Sequence, residues 1–447
     1  MAKKKNIVQR TKEKLIIIMV VAIAAGWFLS VRAVRAGSRD IEEQNALIDT
    51  AKVYLEDKLY VRAAAQYTEA LNTYHTENNP QYEEELLALY KDAGMMQEYY
   101  SMIDSRISSG KAGAEEYIDR AQSYISRGSG ANAMVILQKG MAACEDERLT
   151  ELYESASYDC SYIATMYTQM NMPFSDWYIP AYDGEHWGYV GQNGRTNMDF
   201  IYEEATPFSS SYAVVKIDGV YTLIDKDGYW NAVDKNGLSE VTSLVGRRLI
   251  GVKDGQYGIY SNTFNLLGSE TYENAYLGEN GFIMVQKGGK WALLDSNLNM
   301  LTDYQFTDVA VNSRGLAFNG NYAVVADEAG YFLINREGEA CFETRFAGAK
   351  GIEGGLFAVQ NADGKWGFAD ENGQIIVECK YDDAYSFSNR LAAVKYAGKW
   401  GYINKYGTLI IDLLYEEAYP FLEGSALVVD NQGRYRIITL RNYGLFN

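Results

Sequence analysis

Adjacent carboxylates recur along the second half of the sequence, at Glu203-Glu204, Asp382-Asp383 and Glu416-Glu417. Two carboxylates at the right separation run glycoside hydrolysis, so these pairs are the first place to look for catalysis. Neighbours in a strand or turn point apart, however, and the three pairs fall at one place in a repeating pattern, which predicts a packing role. Asp225-Lys226-Asp227-Gly228 and Asp234-Lys235-Asn236-Gly237 open like calcium loops. No bidentate acid comes at the distance such a loop needs, and Asp/Asn-x-x-Gly is ordinary turn chemistry. His75 and His186 are the only histidines in 447 residues, which removes most histidine-based acid–base, nucleophile and zinc chemistry. Cys144, Cys160, Cys341 and Cys379 form no CxxC motif and are expected as unpaired thiols. No catalytic residue, metal or cofactor is expected, and the protein is predicted not to be an enzyme.

The acids belong to a repeat that must position them. Trp187-Gly188-Tyr189-Val190, Trp366-Gly367-Phe368-Ala369 and Trp400-Gly401-Tyr402-Ile403 are copies of one phrase, with degenerate copies starting at Tyr221, Tyr257, Trp291, Tyr331 and Tyr435. His186 occupies the place that Lys290, Lys365 and Lys399 hold before the other motifs. Fifteen residues after the leading aromatic comes a second one in six units: Tyr202, Tyr272, Phe306, Phe346, Tyr381 and Tyr415. Each unit offers three short strands, such as Leu391-Ala392-Ala393-Val394-Lys395, the aromatic strand, and Leu409-Ile410-Ile411-Asp412, separated by Gly turns. Strands this short cannot stand alone, so neighbouring units must share a core.

Lys365-Trp366-Gly367 and Lys399-Trp400-Gly401 closely resemble the signature of the bacterial WG-repeat family, also called KWG repeats. The resemblance covers roughly 180–440 and implies an all-β repeat array with an interaction role but no single defined ligand. Thr222, Ala292 and Phe332 stand where the motif Gly belongs, so those units are expected to serve packing only. Seven periods and a last strand, Arg434 to Leu440, that lacks its third partner set a propeller-like toroid slightly ahead of an open solenoid.

Upstream the period changes from two to that of helices. Ala51, Tyr54, Ala63, Tyr67 and Ala70 lie at offsets that Ala121, Tyr124, Ala133, Leu137 and Gly140 repeat, with a weaker copy at Leu87, Tyr90, Tyr99 and Ile103. Small and aromatic residues at these steps resemble the tetratricopeptide repeat, in which Ala lets two helices approach closely. The expected organisation is therefore α and β multidomain: a basic segment at 1–14, a membrane span at 15–31, tetratricopeptide-like helices over 40–170 ending in a capping helix from Leu149 to Met170, a linker at 171–184, and the WG-repeat β domain at 185–440.

Charge is segregated. The net −18 divides into +8 through Arg39 and −26 beyond it, a body that repels phosphate backbones and excludes nucleic acid as a partner. Leu15 to Val31 runs without a charge, and six basic residues precede it. Such a stretch predicts a single-pass anchor with a cytoplasmic N-terminus and the bulk of the chain extracytoplasmic; a cleaved signal peptide, with Val34 and Ala36 as a weak cleavage pattern, is the alternative. The 37 tyrosines exceed what the repeat cores need, and Tyr396, Tyr406 and Tyr419 are expected on an exposed recognition face. The expected function is a membrane-anchored scaffold at a bacterial cell surface that binds a protein partner. Binding of cell-wall polysaccharide is the first alternative, and a glycan-acting enzyme the second.

Overall fold

The structure, a computed structural model, describes Trp27, residues 38–170 and residues 174–443. The chain divides into two compact units, Met1–Tyr153 and Glu154–Asn447.

Within the first unit the described residues form a helix at 38–56 (α1), then α2 (Tyr60–Thr73), α3 (Asn79–Asp92), α4 (Met96–Ser108), α5 (Ala114–Ser126), α6 (Gly130–Ala143) and α7, which starts at Glu147. The repeated small residues fall inside the helices and are fully buried: Ala51, Ala63, Ala70, Ala121 and Ala133. At Gly140 even one methyl is excluded, because a Cβ there would lie 2.9 Å from the Tyr117 ring. Tyr67 and Tyr99 bury their rings and donate their hydroxyls to Glu85 and Asp119. The expected capping helix is shorter than its pattern implied: α7 ends at Ser157.

Beyond α7 the chain turns to strands, all within the second unit. Cys160–Ala164 is a strand, and Gln169–Met170 and Tyr178–Tyr182 are two more, so the expected linker at 171–184 is instead largely part of the β domain. That domain is a propeller of eight antiparallel sheets, each of three or four strands. Blade 1 comprises Gln169–Met170, Tyr178–Tyr182, Trp187–Gly191 and Thr196–Tyr202, ordered from inner to outer strand. Blade 8 runs Glu417–Ala418, Ser425–Val429 and Tyr435–Leu440, and its outer strand is Cys160–Ala164, paired antiparallel from Cys160↔Leu440 to Ala164↔Arg436. The missing partner of the last strand thus comes from before the first repeat, so blade 8 is assembled from both ends of the β domain with Cys160–Ala164 as its edge strand.

The aromatic pattern is strand register. The motif residue opens the third strand of its blade, and the aromatic fifteen positions on lies directly across from it on the outer strand: Trp187↔Tyr202, Trp366↔Tyr381 and Trp400↔Tyr415, with isolated bridges at Tyr257↔Tyr272, Trp291↔Phe306 and Tyr331↔Phe346. The acid-acid-Ala segment next in the chain supplies the short inner strand of the next blade. Between blades 1, 6 and 7 and their successors, the aromatic two places after the Trp meets a Phe edge-on: Tyr189–Phe208, Phe368–Phe387 and Tyr402–Phe421, with centroids 4.7, 4.7 and 4.9 Å apart. Successive blades share such cores all round the ring, for example Tyr189, Met198 and Tyr202 of blade 1 with Phe208, Ala213 and Val215 of blade 2.

The expected membrane span at 15–31 and the basic segment at 1–14 lie outside the described residues, Trp27 excepted. Among the described residues no helix is long and apolar enough to cross a membrane. The expectation of a single-pass membrane protein is corrected on that finding. The longest described helix, α1, carries Arg39, Asp40, Glu42, Glu43, Asp49, Lys52 and Glu56, so it has an apolar face for its neighbours and a charged one for water.

Candidate functional site

The residues that suggested chemistry hold the fold. Glu203 accepts the Gly219 N–H at 3.1 Å, whereas Glu204 takes Lys216 Nζ at 2.8 Å and the Tyr221 hydroxyl at 2.6 Å. Lys216 and Tyr221 hold the Glu204 carboxyl below its usual range against the opposing effect of burial. Asp382 pairs with Lys365 and Glu416 with Lys399, at 2.7 and 2.6 Å, so the Lys of the motif ties one blade to the segment that opens the next. Asp383 lies 3.8 Å from Lys350, and Glu417 receives the Tyr419 hydroxyl at 2.7 Å. The members of each pair therefore serve different partners.

The calcium-like turns are Asx turns. The Asp225 carboxylate accepts the N–H groups of Asp227 and Tyr229, and Asp234 those of Asn236 and Leu238, all within 3.0 Å. Asp295, Asn335, Asp370 and Asn404 do the same in other blades. His75 and His186 are exposed in connecting segments, and the four cysteines are unpaired. Tyr396 and Tyr406 are exposed as expected, while Tyr419 is half-buried.

A site that no motif announced lies where the turns joining inner to second strands converge at one end of the ring. These turns are stitched to one another around the whole circle. Both Glu423 oxygens of blade 8 accept N–H groups of blade 1, from Asp176 and Trp177. Asp176 in turn accepts the Ser211 N–H of blade 2, and Ser209 accepts that of Gly246 in blade 3. Arg248 donates to the Gly281 carbonyl of blade 4. Arg314 of blade 5 bridges Glu279 of blade 4 and Glu353 of blade 6, at 2.7 and 2.8 Å. Burial opposes charge on that guanidinium, but Glu353 and Glu279 outweigh it and raise its pKa. Phe387 N–H to the Leu356 carbonyl, and Gly424 N–H to Asn389, complete the circle.

Inside this girdle opens a cleft of about 560 Å³, lined by residues of blades 1 to 5 and 8. Its charged residues are the girdle's own. The hydroxyls of Ser175, Ser210, Thr242 and Ser243 and the Asn280 amide, by contrast, have no hydrogen-bond partner among the described residues. Ser243 Oγ is buried as well as unpartnered. Five of the converging turns have two residues in the left-handed region: Asp176-Trp177, Ser210-Ser211, Asn280-Gly281, Asn389-Arg390 and Glu423-Gly424. Such a turn favours Gly at its second place, and blades 4 and 8 have one, Gly281 and Gly424. Blade 1 has Trp177 there instead, at φ 73° and 55% exposed. Neither this cleft nor Trp177 was singled out from the sequence. A signal was present: Phe174, Phe208, Phe318 and Phe387 each stand thirteen residues before a motif aromatic, and all but Phe318 lead directly into these turns.

In the helical unit a groove of about 600 Å³ lies between α2, α3 and α4, lined by Thr68, Leu71, Glu83, Tyr90, Met102 and Arg106 among others. Arg106 is engaged by Glu83, Glu84 and Glu116.

A family model described as WG containing repeat matches residues 187–221, 271–291, 366–400 and 400–433. The chain carries WG repeats. Two of the matches, 187–221 and 366–400, run from one motif aromatic to the next, so they begin at the third strand of one blade and end at the third strand of the next. No curated protein matches the chain. Solved structures that are similar include the Neurospora crassa Pan2 WD40 domain, at 9% identity over 64% of this chain and 97% of that one, with a TM-score of 0.36. The WD40 β-propeller domain of Doa1 is 12% identical over 63% and 97%, with a TM-score of 0.33. YCF48 bound to D1 peptide is 10% identical over 63% and 96%, with a TM-score of 0.35. At these scores the likenesses carry no argument, and the propeller rests on the strand pairing itself.

Proposed function

We propose that the protein is a non-enzymatic binding scaffold that engages a protein partner through its WG-repeat propeller and its tetratricopeptide-like helices. One observation carries this reading: the paired acids that could do chemistry are bound to lysines, tyrosines and backbone N–H groups of the fold, and uncharged groups are left open at the ring mouth. Rings of Tyr and Trp on a rigid frame supply contact area at small entropic cost, which suits Tyr396 and Tyr406 to recognition. The groove between α2, α3 and α4 offers a second, separate surface.

The test is site-specific photocrosslinking of the full-length chain in its own cells, with a photoreactive residue at Tyr396, at Tyr406 or at Gln97, which lines the groove of the helical unit. One saturable protein adduct, competed by unlabelled chain, supports the scaffold. A turnover activity that Asp382→Asn abolishes without moving the melting temperature would sink it. Binding to polysaccharide is the second reading, favoured by the uncharged hydroxyls that line the cleft.

A further inference from the structure

From the cleft at the ring mouth we infer a binding site for an uncharged, hydroxyl-rich ligand, the end of a neutral oligosaccharide chain. The inference rests on the reading of the propeller as a recognition module and names what its mouth would take.

Charge selects first. Asp176 is engaged by Lys226 and the Ser211 N–H, Glu423 by two N–H groups, and Glu279 by Arg314. Arg314 is itself held between two carboxylates. Among the described residues lining the cleft no unpaired cation awaits an anion, and the acids are already satisfied, so an ionic ligand gains nothing here that it would not lose in hydration. The open positions are hydroxyls, each both donor and acceptor, and that is the complement of a sugar hydroxyl.

Strand geometry selects second. The inner strand of blade 3, Glu240–Val245, shifts register between Val241 and Ser243, so Thr242 is the extra residue of a β-bulge. Among the eight described inner strands this is the only one with such a shift. Bulges redirect side chains next to functional sites. Here the bulge brings Thr242 and Ser243, adjacent in sequence, to the wall of the same cleft. A buried hydroxyl with no partner, such as Ser243 Oγ, is uncommon in a native fold, and a ligand is one way to satisfy it.

The third feature is aromatic. Trp177 sits on the turn that gives Ser175 and Asp176 to the wall, in a backbone conformation that disfavours any side chain, and the residue is more than half exposed. Strain of this kind persists where the surroundings over-determine it, and here the Glu423 carboxylate clamps the Trp177 N–H. The indole does not itself line the cleft, so it would meet the apolar face of a pyranose ring in the sugar unit outside the mouth.

Calorimetric titration of the full-length chain tests this, using neutral tetrasaccharides of glucose, mannose and N-acetylglucosamine, with a sulfated disaccharide and tetralysine as charged comparators. Trp177→Gly relieves the turn and Ser243→Ala removes an unpartnered hydroxyl, so both variants keep or raise the melting temperature. Each is expected to weaken binding of a neutral saccharide at least tenfold, whereas Trp230→Ala, an exposed Trp in the outer strand of blade 2, leaves it unchanged. No saturable binding of any neutral saccharide, binding that both variants retain, or preference for a charged comparator each overturns the inference. None of those results touches the protein adducts on which the scaffold reading stands or falls.

Discussion

Gly401 and Ile411 approach so closely that no side chain fits between them: a Cβ on Gly401 would lie 2.5 Å from the Ile411 carbonyl oxygen and 2.8 Å from that of Asp412. The cause is a register shift, since Trp400 pairs with Tyr415 but Tyr402 with Ile411, so the outer strand carries extra residues opposite the glycine. The Gly of the motif is therefore required by backbone, and Gly367 is in the same state against Val377. Gly401→Ala is expected to cost on the order of 2–3 kcal/mol in urea unfolding, as an overpacked site does. Ala292→Gly, in a blade whose outer strand makes only isolated bridges, is expected to cost about 1 kcal/mol, through chain entropy and the loss of one buried methyl and with no backbone clash. Equal effects at the two sites would refute the bulge explanation.

This contrast shows what could be read in advance. The fifteen-residue offset was legible because it is a local hairpin register, fixed by short-range pairing such as Trp400 with Tyr415. Ring closure was not, because the strand that completes blade 8 begins at Cys160, directly after a helical stretch, and Cys160 pairs 280 residues further on with Leu440. Alternation over five residues is too weak a signal to interrupt a helical reading. The cleft was illegible for another reason: Ser175, Ser210, Thr242 and Ser243 are ordinary turn and strand residues until the ring brings them together.

The closing strand can be challenged directly. Ile163 lies opposite Ile437, and Ile163→Pro removes a donor from that ladder. A loss on the order of 3 kcal/mol is expected, with limited proteolysis starting in blade 8. If the midpoint is unchanged, the strand does not hold the ring shut.

Tyr402 is wholly buried and donates its hydroxyl to the Tyr419 carbonyl at 2.8 Å, across the boundary between blades 7 and 8. Tyr402→Phe is expected to destabilise by about 1–2 kcal/mol, because it strands a carbonyl without changing the packing of the ring. Blade 6 carries Phe368 at the matching place, so Phe368→Tyr tests whether a hydroxyl there finds a partner; stability is expected to fall if it does not.

Thr222 replaces the motif Gly in blade 2 and buries a hydroxyl that has no partner among the described residues. Thr222→Val keeps the shape and removes the polar atom. A gain of roughly 1 kcal/mol in unfolding free energy is expected. A loss would mean that the hydroxyl is satisfied in solution.

Proton linkage sets the pH range of the ring from both sides. Lys365 holds Asp382, and the N–H groups of Gly289 and Gly288 hold Glu273, below the usual carboxylate range. A depressed carboxyl contributes stability that is complete above its unfolded pKa, near 4, and is lost as pH falls through the folded value. On the alkaline side the sign reverses: burial, then the hydrogen bond to Asp308, push the Tyr331 hydroxyl up to about 12. Tyr189 and Tyr402 are raised well above 10 by burial. A raised pKa contributes stability that is complete below the unfolded value, near 10, and is lost as pH rises toward the folded one. Urea midpoints are therefore expected to be flat from about pH 5 to pH 9 and to fall outside that window. In tyrosinate absorbance at 295 nm, the buried rings Tyr189 and Tyr402 should contribute only as the circular dichroism collapses. A single step near pH 10 with the fold intact would show that the interblade tyrosines are open to solvent.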